Sequence, residues 1–282
     1  MLVTSREILS DALRNNYAVG AFNVENMEMV IAVLRAAEET KSPVIMQTTP
    51  GTIRYAGIGM YFANIKAAAE SSPVPVACHL DHGNTFEIAM QAFRAGYTSI
   101  MIDGSKLPFE ENIALTKSVV DVCHPGNVPV EAELGRVGGK EDDTVAGDDN
   151  PFTDPEEAEE FVRRTGCDFL AVGIGTAHGI YKGTPQVNFE VLRKIRGRLD
   201  IPLVLHGTSG VPDNQVRECV RMGMCKVNYA TDLRIAYTNG VKEFMRSSPE
   251  GFDPKKYGTY GIEAVKNYVM QRMNVVGSCG HV

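Results

Sequence analysis

Residues 201–232 read IPLVLHGTSGVPDNQVRECVRMGMCKVNYATD. An apolar run, IPLVL, turns through the small residues HGTSG and gives way to a helical segment from Asn214 to Met222, with Pro212-Asp213 as its start signal. A second apolar run, CKVNYA, follows at once. Strand, helix and strand in that order imply a parallel pair.

The same unit recurs toward the N-terminus. The runs VGAFNV, PVIMQTT, PVACHLDH, TSIMIDG, VPVEAELG and DFLAVGIG bring the total to eight. Helical periodicity fills the intervals: Met27 to Thr40, Ile53 to Ser71, Phe86 to Ala95, Glu111 to Cys123, Pro155 to Thr165, Phe189 to Leu199, and, after the last run, Asp232 to Arg246. Eight alternations fit a closed α/β barrel, the (β/α)8 or TIM barrel, better than an open doubly wound sheet. The open sheet would need a glycine-rich turn after its first strand, and none follows AFNV. The pattern predicts a further C-terminal helix from Tyr260 to Met273, preceded by a loop, PEGFDPKKYG. No linker is visible, so residues 1–282 are expected to form a single barrel domain.

Composition narrows the function classes. Hydrophobic residues at 44% and charged residues at 22% are those of a soluble globular chain. A formal charge of -7 argues against a nucleic-acid partner, although a local basic pocket for an anion stays open. The six cysteines form no CxxC pair, the N-terminus lacks the pattern of a secretory signal, and no apolar run is long enough for a membrane span. These features predict a reduced, cytoplasmic setting with no membrane partner.

His82, His178 and His206 each follow an apolar run, where barrel enzymes carry their reacting groups. Three imidazoles with an open fourth position make up a catalytic zinc site. Asp81, Asp103, Glu131, Glu133 and Asn228 collect at the same strand ends. Strand alternation turns His79 with Asp81, Met101 with Asp103, and Glu131 with Glu133. Asp81, beside His82, suits a proton shuttle at a metal-bound substrate, or caps the following helix. His79 lies deeper and reads as a barrel-interior group behind the site; His124 and His281 read as surface residues. HGTSG and NYATD offer hydroxyls and backbone N–H groups before helices, a phosphate-binding arrangement. Two long loops, residues 135–155 and 175–186, read either as mobile lids or as solvated insertions.

Taken together, HLDHG, MIDGS, EAELGRVGGKEDD, GTAHG, LVLHGTSG and KVNYATD resemble the class II, metal-dependent ketose-bisphosphate aldolases, in order and over nearly the whole chain. The resemblance implies reversible cleavage of a phosphorylated ketose to dihydroxyacetone phosphate and glyceraldehyde 3-phosphate. It makes His82, His178 and His206 the Zn2+ ligands, and Asp81 the group that exchanges the C4 hydroxyl proton. Glu141 would exchange the C3 proton. Asp103 and Glu133 match a second or alternative metal position, and Glu131 would orient a histidine ligand. Thr49, Gly179, Gly207, Thr208, Ser209, Asn228, Ala230, Thr231 and Asp232 match segments that bind the dihydroxyacetone phosphate end, near which a monovalent cation (Na+ or K+) is common. A homodimer or homotetramer is implied. Many fructose-specific members carry an acid or amide where this chain has Ala230, so the likeness favours D-tagatose 1,6-bisphosphate, with fructose 1,6-bisphosphate as the alternative.

Two other readings remain open. A Schiff-base aldolase needs a lysine inside the barrel, whereas Lys226 opens the eighth strand and Lys106 and Lys140 fall in loops. A non-catalytic barrel serving another enzyme would be expected to lose the histidines or acids that this chain keeps.

Overall fold

Strands covered by helices on one side and facing a barrel interior on the other are buried on both faces and read as largely apolar runs. The eight runs meet that condition, and in a computed structural model of the chain they form β1 (Val19–Asn23), β2 (Val44–Thr48), β3 (Val76–Gly83), β4 (Ser99–Ile102), β5 (Val130–Leu134), β6 (Phe169–Val172), β7 (Leu203–Leu205) and β8 (Met224–Tyr229). They close into a barrel in the order 1-8-7-6-5-4-3-2, every adjacent pair parallel. The structure describes every residue except 136–137, 142–143, 146–151, 180–182 and 184, and describes only the backbone at 138–141 and 144–145. Part of each long loop therefore lies outside the described residues, as does the side chain of Glu141.

The helices begin where the capping residues stand. Asn26 accepts from the Met29 amide to open α2 (Met27–Thr40), and Asp154 accepts from the Glu156 and Glu157 amides to open the helix Pro155–Thr165. Two expectations need correction. The segment from Ile53 to Ser71 is two helices, Pro50–Ala56 and Ile58–Glu70. They break at Gly57, whose φ of 85° an L side chain rarely adopts. The last helix starts earlier than expected, at Pro254, and runs to Val276, because Asp253 accepts from the Lys255 amide with proline in the first turn. What read as a loop, DPKKYG, is that cap and its first turns.

The barrel interior is layered. Toward its N-terminal end, Val19, Ala21, Ile45, Ala77, Phe169, Ala171, Val204 and Cys225 pack with Ile8, Leu9 and Ala12 of α1 (Ser5–Asn15). This helix plugs the lower opening with its apolar face. Among the described residues no helix is long and apolar enough to cross a membrane. A small three-stranded sheet lies outside the barrel: Thr144–Val145, Gly138–Glu141 and Ala177–His178.

Candidate active site

Adjacent residues of a regular strand face opposite ways, yet Asp81 and His82 both reach the barrel mouth. The pairing of β3 with β4 explains this. Leu80 pairs with Ile100 and Gly83 with Ile102, so one extra residue bulges from β3. His82 takes a left-handed φ of 49° in that bulge. Strain of this kind at a non-glycine residue persists where surrounding contacts enforce it. Its Nδ1 lies 2.9 Å from Oδ2 of Asp103, whose other oxygen accepts from the amide and hydroxyl of Ser105.

His206 directly follows β7. Its Nε2 lies 3.0 Å from Oε1 of Glu131, and its Nδ1 lies 3.0 Å from Oε2 of Glu133 without the alignment of a hydrogen bond. His178 does not end a barrel strand, as its sequence context suggested. It sits on the outer strand Ala177–His178, beyond the glycines that end β6, where Gly139 pairs with it. Gly207 brings this strand in: at a φ of 63°, its missing Cβ would meet the backbone carbon of Ala177 at 2.6 Å. Gly207→Ala is therefore expected to cost about 1–3 kcal/mol in strain and to push His178 outward, read as a lower melting temperature together with weaker zinc binding.

The three imidazoles converge, His82 and His206 at 4.7 Å between ring centroids, His82 and His178 at 5.0 Å. Each offers a ligand atom, and these atoms lie within 4.8 Å of one another; His82, Asp103 and Glu133 form a second such group. Nδ1 of His206 and Oε2 of Glu133 are buried with no hydrogen-bond partner, a state that a bound cation resolves. Neutral imidazoles backed by carboxylates suit zinc.

Asp81, 1% exposed, is held by three amides. Asn23 and Gln47 donate to Oδ2 at 2.8 and 3.1 Å, and Asn228 donates to Oδ1 at 3.1 Å. Its Oδ1 lies 4.0 Å from Nε2 of His82. The carboxylate is thereby fixed in place by neutral donors, and it faces the imidazole group instead of capping the next helix, which Thr85 caps.

Burial opposes charge throughout this interior, and the partners decide the outcome. It would raise Glu131, but Lys226 and then His206 hold that carboxyl well below the usual range. It would raise Asp103 too, and there the bonds from His82 and Ser105 prevail. Glu133 goes up, through burial and the nearby Asp103. His79 is driven well down, by burial and then by Lys226. For His206, burial acts downward, and the contacts with Glu131 and Glu133 outweigh it to raise the ring to about 9. Cation uptake at Nδ1 must then displace a proton.

The two histidines give the metal-free protein a stability optimum. Below its ordinary value of 6.5, the unfolded chain protonates His79 while the folded chain does not, so stability falls as pH drops. His206 is the reverse: its stabilisation is complete below 6.5 and lost as pH rises through about 9. Thermal melts in chelator are expected to peak near pH 6.5; a melting temperature climbing steadily into the alkaline range would refute this.

Beside the imidazoles, Gly179, Gly207, Thr208, Ser209, Asn228, Ala230 and Thr231 line one cleft with Asn23. Arg234 joins them, unselected by the sequence reading, although a cation one turn into the helix after NYATD was a usable signal. It also bonds Glu25, Nη2 to Oε1 at 2.6 Å. Two predicted residues are engaged elsewhere. Asp232 accepts from the Tyr268 hydroxyl at 2.8 Å, and Thr49 caps its helix by accepting from the Thr52 amide. Lys226 needs correction as well: far from merely opening a strand, it lies inside the barrel, 1% exposed. His124, expected at the surface, is half-buried against Asp168 at 2.8 Å.

Residues 3–281 match the sequence model of the class II fructose-bisphosphate aldolases. The YdjI aldolase of Escherichia coli K12 superposes with a TM-score of 0.89 at 39% identity, covering 100% of this chain and 99% of that one. The fructose-bisphosphate aldolase of Campylobacter jejuni, at 23% identity and a TM-score of 0.84 over 99% of this chain and 96% of its own, shares the fold. With the family model spanning the barrel and every strand end described above, the chain belongs to the class II fructose-bisphosphate aldolase family and is an aldolase.

Proposed function

We propose that the enzyme cleaves D-tagatose 1,6-bisphosphate reversibly into dihydroxyacetone phosphate and glyceraldehyde 3-phosphate. The observation that carries this reading is the convergence of His82, His178 and His206 with the amide-held Asp81 beside a cleft built from HGTSG and NYAT. Gly179, Gly207, Thr208, Ser209 and Thr231 would bind the phosphate of the dihydroxyacetone end through backbone N–H groups and hydroxyls, with Asn228 beside them. Zinc bound by the three histidines supplies a Lewis acid for the ketone and for the negative charge that develops on its oxygen.

The proton steps fall to the chain's own acids. Asp81 takes the C4 hydroxyl proton as the C3–C4 bond breaks; C4 becomes the aldehyde carbon, and the bonding pair passes to C3 as the enediolate. Glu141 then protonates C3. Asp103 and Glu133 with His82 offer an alternative metal position, and Glu131 orients His206. A monovalent cation near the phosphate, a homodimer or homotetramer, and a cytoplasmic setting belong to the same reading, on the family resemblance alone.

Ala230 supports the choice of sugar, since it lines the cleft with Asn228, and by the family resemblance many fructose-specific members carry an acid or amide at that position. The two sugars differ in configuration at C4, so a few contacts decide between them. The test is kcat/KM for both bisphosphates on one zinc-loaded preparation. A preference for tagatose, weakened by Ala230→Asp, is expected; a preference for fructose overturns the assignment.

A further inference from the structure

Below the imidazoles, Lys226 is among the largest fully buried side chains of the protein. Its Nζ lies 3.1 Å from Oε1 and 2.9 Å from Oε2 of Glu131, and 3.3 Å from Nε2 of His79. An ammonium only donates, so each group it faces must accept. Nε2 of His79 is then unprotonated, and its Nδ1–H donates to Ser99 Oγ at 2.7 Å, an oxygen that also accepts from Ser5 of the plug helix at 2.7 Å. Lys226 donates to Oε1 of Glu131 and pairs with Oε2 by charge, and Oε1 is also turned to the Nε2–H of His206. With the hydrogen on Nε2, the lone pair of His206 lies on Nδ1, the atom on the side of Glu133.

We infer that Lys226 is a positioning residue of the metal centre: by pinning Glu131 it fixes which nitrogen of His206 carries hydrogen and where the other one points. Apolar side chains could fill the same volume at no loss of stability, because burying an ammonium and a carboxylate is itself costly. What they could not supply is the fixed acceptor behind His206. The inference rests on reading the three histidines as the metal centre.

Zinc affinity, measured by competition with a chelating dye, tests it in the unaltered protein, Lys226→Met, Glu131→Gln and the double variant, alongside melting of the metal-free forms. Loss of such an outer partner is expected to weaken zinc binding roughly 10- to 100-fold. Because Lys226 acts through Glu131, the double variant should bind zinc as Glu131→Gln does. It also removes both buried charges, so the comparison survives if Lys226→Met does not fold. A folded Lys226→Met with undiminished affinity overturns the proposal, as does a double variant weaker than Glu131→Gln by a further factor. An unaltered protein that binds no zinc would instead refute the metal centre itself.

Discussion

His206→Ala is expected to abolish aldol cleavage while the barrel remains folded. The substitution removes one of three converging imidazoles, and it also leaves Glu131 and Glu133 without the ring that separates them. Zinc affinity should therefore fall by more than the roughly 10- to 100-fold that loss of an outer partner costs. Folding should survive, because the apolar layers that close the barrel lie beneath the site, and Glu131 retains Lys226. Cleavage rate, zinc competition and a melting curve of the metal-free protein check the three parts separately. Near-normal turnover would remove the basis for a histidine-held metal.

Asp81→Asn should produce the complementary result: zinc retained, turnover lost. Asparagine fills the space of aspartate but cannot take a proton, and general acid–base catalysis contributes roughly 10²- to 10⁴-fold. The loss is expected in kcat, because Asp81 is not itself among the residues that line the phosphate cleft. Unreduced kcat with normal metal content would show that another group exchanges the C4 proton.

The barrel was legible because parallel strands buried on both faces leave continuous apolar runs, and because its helices start at Asn, Asp and Pro signals that read directly. The metal-ligand candidates were legible for a related reason: a histidine after an apolar run is conspicuous. What escaped was anything set by three-dimensional closure. Lys226 looked like a strand opener, although Asn228, two residues on, shares its face and was already placed with the reacting groups at the strand ends. His178 reaches the site through an outer sheet formed between two loops, and pairing between distant glycine-rich segments leaves no local period to read. The contact of His124 with Asp168 links residues 44 positions apart. Gly57, by contrast, was visible as a glycine inside a helical pattern, and it ends one helix where the periodicity carried on.

The bulge in β3 has one more implication, which concerns chain length and not residue type. Between Leu80 and Gly83, β3 uses three steps where β4 uses two. Deleting Asp81 would restore a regular ladder with His82 at the step that Asp81 now holds, so one of the two side chains would be lost from the mouth even with every remaining amino acid unchanged. The spacing HLDHG is thus a count as well as a set of letters, and an aligned sequence one residue shorter at this point would keep the barrel while presenting a different mouth.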